Sequence, residues 1–318
     1  MFGSPLSSGE RDHENVHEGS RRAIIAAFLA NLGIAVAKFV AFLFTGAASM
    51  LAETVHSLAD TGNQALLLLG QARAGRAASP AHPFGYGRER YFWSFVVALV
   101  LFSMGSLFAI YEGVEKLRHP HELVAPQWAI GVLLVAIALE GWSFRTAFVE
   151  ANAVRGNHNL WNFIRRAKSP ELPVVLLEDT GALLGLVFAL LGVGLAMWTG
   201  DARFDALGSV AIGILLGAIA FVLAAEMKSL LIGESATPDV QEQIRAAIET
   251  SAPVSRLIHL RTLHLGPDEL LVGAKVEFSS TLDVPGLARA IDEVEARVRA
   301  VAADARVIYI EPDIHRST

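Results

Sequence analysis

The stretch Ala52-Glu53-Thr54-Val55-His56-Ser57-Leu58-Ala59-Asp60-Thr61-Gly62-Asn63-Gln64 decides how this chain is read, because it sets ionisable side chains inside a run that is otherwise apolar. Glu53, His56, Asp60 and Asn63 follow one another at spacings of three, four and three, which puts them on one stripe of a helix. A charge at the bilayer centre costs about 2.5–3.5 kcal/mol on insertion scales, so such residues face a bundle interior and serve a function there. His56 and Asp60, at i and i+4, can bring an imidazole nitrogen and a carboxylate oxygen to one ion, a pairing that suits Zn²⁺ and also accepts Fe²⁺, Co²⁺ or Mn²⁺. A helix–helix hydrogen-bond network uses the same residue types, and Asn63 fits either role. Glu53, near the outer end of its helix, suits a solvated or entrance position.

The composition around this stretch is that of a membrane protein. Of 318 residues, 53% are hydrophobic and 18% charged, against about 45–50% and about 25% in soluble domains; the mean hydropathy is +0.44. The excess falls in six runs, Ala23–Thr45, Ala48–Gly70, Tyr91–Tyr111, Trp128–Phe148, Leu172–Trp198 and Phe204–Ala225, each near the ~20 residues that span a bilayer as a helix. None alternates as a barrel strand would. With 26 Lys and Arg against 32 Asp and Glu, the net charge of -6 argues against a nucleic-acid partner. With 0 Cys, disulfides, thiolate metal sites and iron–sulfur clusters are excluded.

Basic residues alternate by side along the loops. Arg21 and Arg22 precede the first run, Arg73, Arg76, Arg88 and Arg90 follow the second, and Arg155, Arg165, Arg166 and Lys168 follow the fourth; the intervening loops carry few. The positive-inside rule then predicts a multi-pass protein of the cell inner (plasma) membrane with both termini cytoplasmic. Residues 1–20 read as a cytoplasmic tail without an apolar signal-peptide core, so the first run is expected to act as an uncleaved insertion signal. Residues 21–232 read as the six-helix transmembrane domain and 233–318 as a cytoplasmic α+β domain.

That last domain has its own periodicities. Thr237-Pro238-Asp239 starts a helix with Pro at its first position, and Val240–Ser251 carries helical apolar spacing. Val254–Leu265 and Glu269–Phe278 read as strands around Gly266-Pro267-Asp268. Val284–Val301 is an amphipathic helix with Leu287, Ile291, Val294 and Val298 on one face, and Ala305–Ile310 is a final strand. Helix–strand–strand–helix–strand suggests a ferredoxin-like unit lacking one strand.

The fifth run carries Glu178 and Asp179 after Pro170 and Pro173. Neighbours on a helix lie about 100° apart, so one of the two is expected to face the ion and the other a neighbouring helix or a water-filled cavity. Lys38 and Glu140 read as a structural ion pair between helices, with a proton-carrying role for Glu140 the alternative. Arg145 can snorkel to water. Gly181 and Gly185 read as packing glycines.

With these residues in view, the chain resembles the cation diffusion facilitator family. The resemblance rests on Thr45-Gly46-Ala47-Ala48-Ser49, on the second-run motif quoted above, on the glycine-rich loop His82-Pro83-Phe84-Gly85-Tyr86-Gly87-Arg88-Glu89-Arg90, and on the exit from Glu226 through Leu231-Ile232-Gly233-Glu234. It implies export of divalent metal, usually in exchange for protons, by a homodimer with a metallochaperone-like C-terminal domain, and rocking of helices one, two, four and five against three and six. Zinc-exporting relatives usually carry His-x-x-x-Asp on the fifth span. Here Asp179 takes the Asp position, while Val175 stands four residues earlier. The resemblance therefore implies His56, Asp60 and Asp179 as ligands, with Glu178, Asn63 or water as the fourth. Fewer nitrogen ligands make manganese, iron or cobalt stronger competitors to zinc. Tyr86, Ile291 and Tyr309 stand where relatives often carry His, so the soluble domain is expected to dimerise without a multinuclear metal cluster; His259, His264 and His315 are its remaining imidazoles.

Metal binding needs neutral imidazole and ionised carboxylates, so it releases protons. His56, with an unperturbed pKa near ~6.5 for its type, is the natural proton-coupled group. A proton-coupled secondary transporter with Zn²⁺ as cargo and no prosthetic group is the reading the resemblance implies. A non-transporting metal-sensing membrane protein is the alternative that the missing fifth-run His suggests. A metalloenzyme would also need an open coordination position, a general base and a substrate pocket, for which the chain offers little.

Overall fold

The computed structural model describes residues 48–119, 126–156 and 159–315 with part of the 25–43 segment; side chains at 48–57, 126 and 128–129 fall outside that description. The helices are α1 (Ala48–Ala74), α2 (Glu89–Val100), α3 (Phe108–Arg118), α4 (Pro126–Val154), α5 (Leu160–Arg166), α6 (Glu171–Thr199), α7 (Arg203–Ile232), α8 (Pro238–Glu249) and α9 (Val284–Val301). The strands are β1 (Val254–Gly266), β2 (Glu269–Phe278) and β3 (Val307–Pro312). Two compact units result. Tyr91–Lys228 joins the chain before Arg73 in one, and Arg73–Arg90 joins the segment from Ser229 in the other.

In the first unit, four described helical stretches are long and apolar enough to cross a membrane: Glu89–Arg118, Ile130–Val154, Glu171–Thr199 and Arg203–Ile232. At 1.5 Å per residue each exceeds a hydrocarbon core of about 30 Å. The expected first run, Ala23–Thr45, lies largely outside the described residues. Trp142, Trp198, Ile214 and Phe221 are exposed on the helix surfaces, whereas Asn63, Gln64, Ser94, Ser106, Ser143, Glu178 and Asp179 are buried. Apolar outside and polar inside is the distribution that lipid, not water, imposes.

The third expected span is continuous from Glu89 to Arg118 but passes through a π-helical segment, Leu101–Leu107. Ser103 Oγ donates back to the Leu99 carbonyl at 2.8 Å, and Ser106 Oγ donates to the Gly213 carbonyl of α7 at 2.7 Å. Such hydroxyls compete for helix carbonyls and distort the ladder locally. Gly213 is what permits the approach: a Cβ there would sit 2.9 Å from both the Ser106 carbonyl oxygen and the Ile110 nitrogen. Gly181, read as a packing glycine, does meet α7, where a Cβ would stand 2.8 Å from Ile219 Cδ1; a Cβ at Gly185 would meet only ordinary contacts. An apolar cluster of Leu67, Val97, Ala147, Val174, Val175, Leu216 and Leu223 ties the helices together, with α4 packed along α6.

The second unit has the expected element order. β1 pairs antiparallel with β2 and β2 parallel with β3, in the order β1-β2-β3. Pro238 sits in the first turn of α8, and Asp283 caps α9 by accepting the Gly286 N–H at 2.8 Å. Ile244 and Ile248 of α8, Val272 and Val276 of β2, and Val294 and Val298 of α9 are fully buried in one core. The last strand begins two residues later than its apolar pattern suggests, because Ala302–Arg306 turns back on itself, with Ala305 N–H donating to Ala302 and Leu270 N–H to Asp304.

The glycine-rich loop belongs to this unit. Ser79 and His82 exchange backbone hydrogen bonds at 3.1 and 2.9 Å, Ser79 Oγ shares a hydrogen bond with Tyr86 Oη at 3.1 Å, and the His82 and Tyr86 rings lie 4.5 Å apart. Gly87 runs against Gly266 so closely that a Cβ would sit 3.0 Å from its Cα. Arg90 Nη1 donates to Asp268 Oδ2 at 2.8 Å, with Arg90 nearly buried.

Candidate intramembrane metal site

Three helices supply the polar interior of the first unit. From α1, Asn63 Nδ2 donates to Glu178 Oε1 of α6 at 2.8 Å, and Gln64 Nε2 donates to Glu178 Oε2 at 3.1 Å. From α4, Ser143 Oγ donates to Asp179 Oδ2 at 2.9 Å. Glu178 and Asp179 are both buried. As neighbours about 100° apart on one helix they turn to different partners, Glu178 to α1 and Asp179 to α4.

The carboxylates are close enough to act on one another. Asp60, Asp179 and Glu140 each repel Glu178 electrostatically, and Glu140 and Asp60 do the same to Asp179. The donors from Asn63, Gln64 and Ser143 offset part of that repulsion by hydrogen-bonding the two α6 carboxylates.

Of the residues expected at the site, Asn63 and Glu178 are joined by a hydrogen bond, while Asp60 and Asp179 act on Glu178 only electrostatically. His56 lies on α1 one turn before Asp60, and its side chain, like that of Glu53, is outside the described residues. Among the described residues no three His, Asp and Glu side chains group closely enough to hold one ion. Lys38, the expected partner of Glu140, is also outside the description, while Glu140 interacts with the carboxylate centre itself. Val175 is buried in the apolar cluster, as its side chain demands.

Two participants escape the stripe of ionisable residues. Gln64 directly follows Asn63, and an amide in an apolar run was the available signal. Ser143 stands three residues after Glu140, on the same face of α4. In the second unit His264 is buried, Ile291 packs against the core, and Tyr309 is exposed.

A polytopic bundle that buries carboxylates, amides and a hydroxyl from three helices is a membrane protein with a polar interior. The chain belongs to the cation diffusion facilitator family: residues 24–232 match the model of the cation efflux transmembrane domain. It is similar to the proton-coupled zinc antiporter SLC30A9, mitochondrial, of Xenopus laevis, at 34% identity over 82% of this chain and 47% of that protein. It is similar also to metal tolerance protein C4 of Arabidopsis thaliana, at 29% identity over 83% of this chain and 58% of that protein. With the cation-efflux pump FieF of Shigella boydii it shares 28% identity over 92% of both chains. The chain spans about half the length of the zinc antiporter relatives it matches.

Proposed function

We propose that this chain is a divalent cation efflux transporter that moves Zn²⁺ out of the cytoplasm in exchange for protons. The observation that carries the reading is the pair of buried carboxylates on α6 inside the bundle, Glu178 held by Asn63 and Gln64 of α1 and Asp179 by Ser143 of α4. In this reading His56, Asp60 and Asp179 ligate the cargo, and Glu178 completes the set; Asn63, whose buried Oδ1 accepts no hydrogen bond from the described residues, is the further oxygen donor. The names of the zinc antiporter and cation-efflux relatives support cargo and direction. Metal binds neutral imidazole and ionised carboxylates and leaves when they are protonated, which couples the two fluxes.

The architecture proposed for this function is a six-helix bundle, with the Ala23–Thr45 run and α1 added to the four spans above. A ferredoxin-like cytoplasmic domain from about residue 233 follows, and the unit is a homodimer of the inner membrane with both termini in the cytoplasm. Transport of manganese, cobalt or iron is the second reading, favoured by Val175 in the apolar cluster, which leaves the site richer in oxygen than in nitrogen donors. A non-transporting sensor is the third. Proteoliposomes loaded with a metal-sensitive dye and challenged with zinc, manganese, cobalt or iron under an imposed pH gradient separate them. Absence of flux for all four metals rejects transport, and flux indifferent to the gradient rejects antiport.

A further inference from the structure

We propose that Gln64 is a positioning residue for the metal site: with Asn63 it clamps the Glu178 carboxylate from both sides and sets the direction in which its remaining lone pairs point. The inference rests on the transport reading above and assigns to Gln64 a role that the ionisable stripe does not contain. The Gln64 side chain is fully buried, and Nε2 reaches Glu178 Oε2 at 3.1 Å while Asn63 Nδ2 reaches Oε1 at 2.8 Å. A carboxylate offers about four lone-pair sites on two oxygens. One amide on each oxygen fixes the plane of the group and leaves one site per oxygen for a cation.

Simple helix–helix adhesion would not be arranged this way. One amide suffices to join two helices, and a buried amide used only as glue would pair its oxygen as well. Here two successive residues of α1 spend their donors on one carboxylate, and both Asn63 Oδ1 and Gln64 Oε1 are buried without a hydrogen-bond partner among the described residues. The arrangement favours control of Glu178 over economy of hydrogen bonds. Because α1 also carries Asp60 and the His56 backbone, the clamp keys the α6 carboxylate to the helix that supplies the other ligands.

The test is a double-mutant cycle on purified full-length protein, reading zinc dissociation constants by competition with a fluorescent chelator. Gln64→Met keeps length and removes the donor; Gln64→Leu is the second variant should methionine disturb folding, as judged by size-exclusion profile. Glu178→Gln removes the ligand charge. The expected result is about tenfold weaker zinc binding for Gln64→Met, in the range for groups that hold a ligand in place. On the Glu178→Gln background the same change should add less than about twofold, because the two act through one group. A wild-type constant for the folded Gln64 variants overturns the inference, as does a loss that persists in full on the Glu178→Gln background. Absence of zinc binding by the wild type overturns the transport reading and this inference with it, whereas wild-type binding with unchanged Gln64 variants overturns this inference alone.

Discussion

Ser143 of α4 donates its hydroxyl to Oδ2 of Asp179 on α6 at 2.9 Å, with both side chains buried in the bundle. The bond fixes the orientation of a carboxylate read as a cargo ligand. Ser143→Ala is expected to weaken zinc binding about tenfold, at the lower end of the ~10–100-fold range for partners of metal ligands. Ser143→Thr, which keeps the hydroxyl, should recover most of it. Equilibrium competition with a chelator measures both.

Asp60 and Asp179 are read as ligands themselves, so their loss should exceed that of a supporting hydroxyl. Asp60→Ala and Asp179→Ala are each expected to lower initial zinc uptake into proteoliposomes by at least about 100-fold, since even second-tier partners cost 10–100-fold. Uptake at the wild-type rate in either variant would remove the proposed site.

Val175 lies three residues before Glu178 and four before Asp179, on the same face of α6. Val175→His would add an imidazole to an oxygen-rich site and should raise the zinc-to-manganese transport ratio several-fold, because nitrogen donors favour zinc. Stopped-flow uptake of the two metals by one preparation gives the ratio. An unaltered ratio in a folded variant would place Val175 away from the ion.

Gly213 admits Ile110 and Ser106 at distances no Cβ tolerates: beside Ile110 Cγ1, two of the three nearest atoms are helix backbone, which cannot swing aside. Gly213→Ala is therefore expected to destabilise the bundle by about 1–3 kcal/mol, the usual cost of overpacking. A lowered thermal midpoint in detergent, with the oligomeric profile retained, is the readout.

Arg90 and Asp268 join the glycine-rich loop to the turn between β1 and β2 at 2.8 Å. Asp268→Ala leaves a nearly buried guanidinium with one partner fewer, at a cost of about 1–3 kcal/mol for a charged hydrogen bond. Amide exchange across Ser79–Tyr86 should quicken, and the Arg90→Asp, Asp268→Arg exchange should slow it again. Equal protection in all three proteins would show that the loop is held by other contacts.

Much of this was legible in the chain. Apolar runs of bilayer length mark the stretch from α2 to α3 and helices α4, α6 and α7, because lipid leaves no other way to satisfy the backbone. The β-sheet unit was readable because each element has one buried face, so Val294 and Val298 repeat at helical spacing and β2 alternates. Asp60, Asn63, Glu178 and Asp179 stood out because charge and amide are costly in an apolar run. Ser143 and Gln64 did not stand out: a serine or a glutamine in a membrane helix is common, and only a partner on another helix gives it meaning. The contact of Ser106 with Gly213, more than a hundred residues away, was equally hidden.

The order of amino acids alone determined that the chain enters a membrane, which helices carry polar groups, and the family to which it belongs, since each follows from transfer energies and local spacing. The pairings came only with the tertiary structure. That Glu178 turns to α1 while Asp179 turns to α4, and that the loop through Gly87 belongs with the β-sheet unit, depend on which helix or hairpin lies alongside. Periodicity places a side chain on a face of its own element and says nothing of what that face will meet.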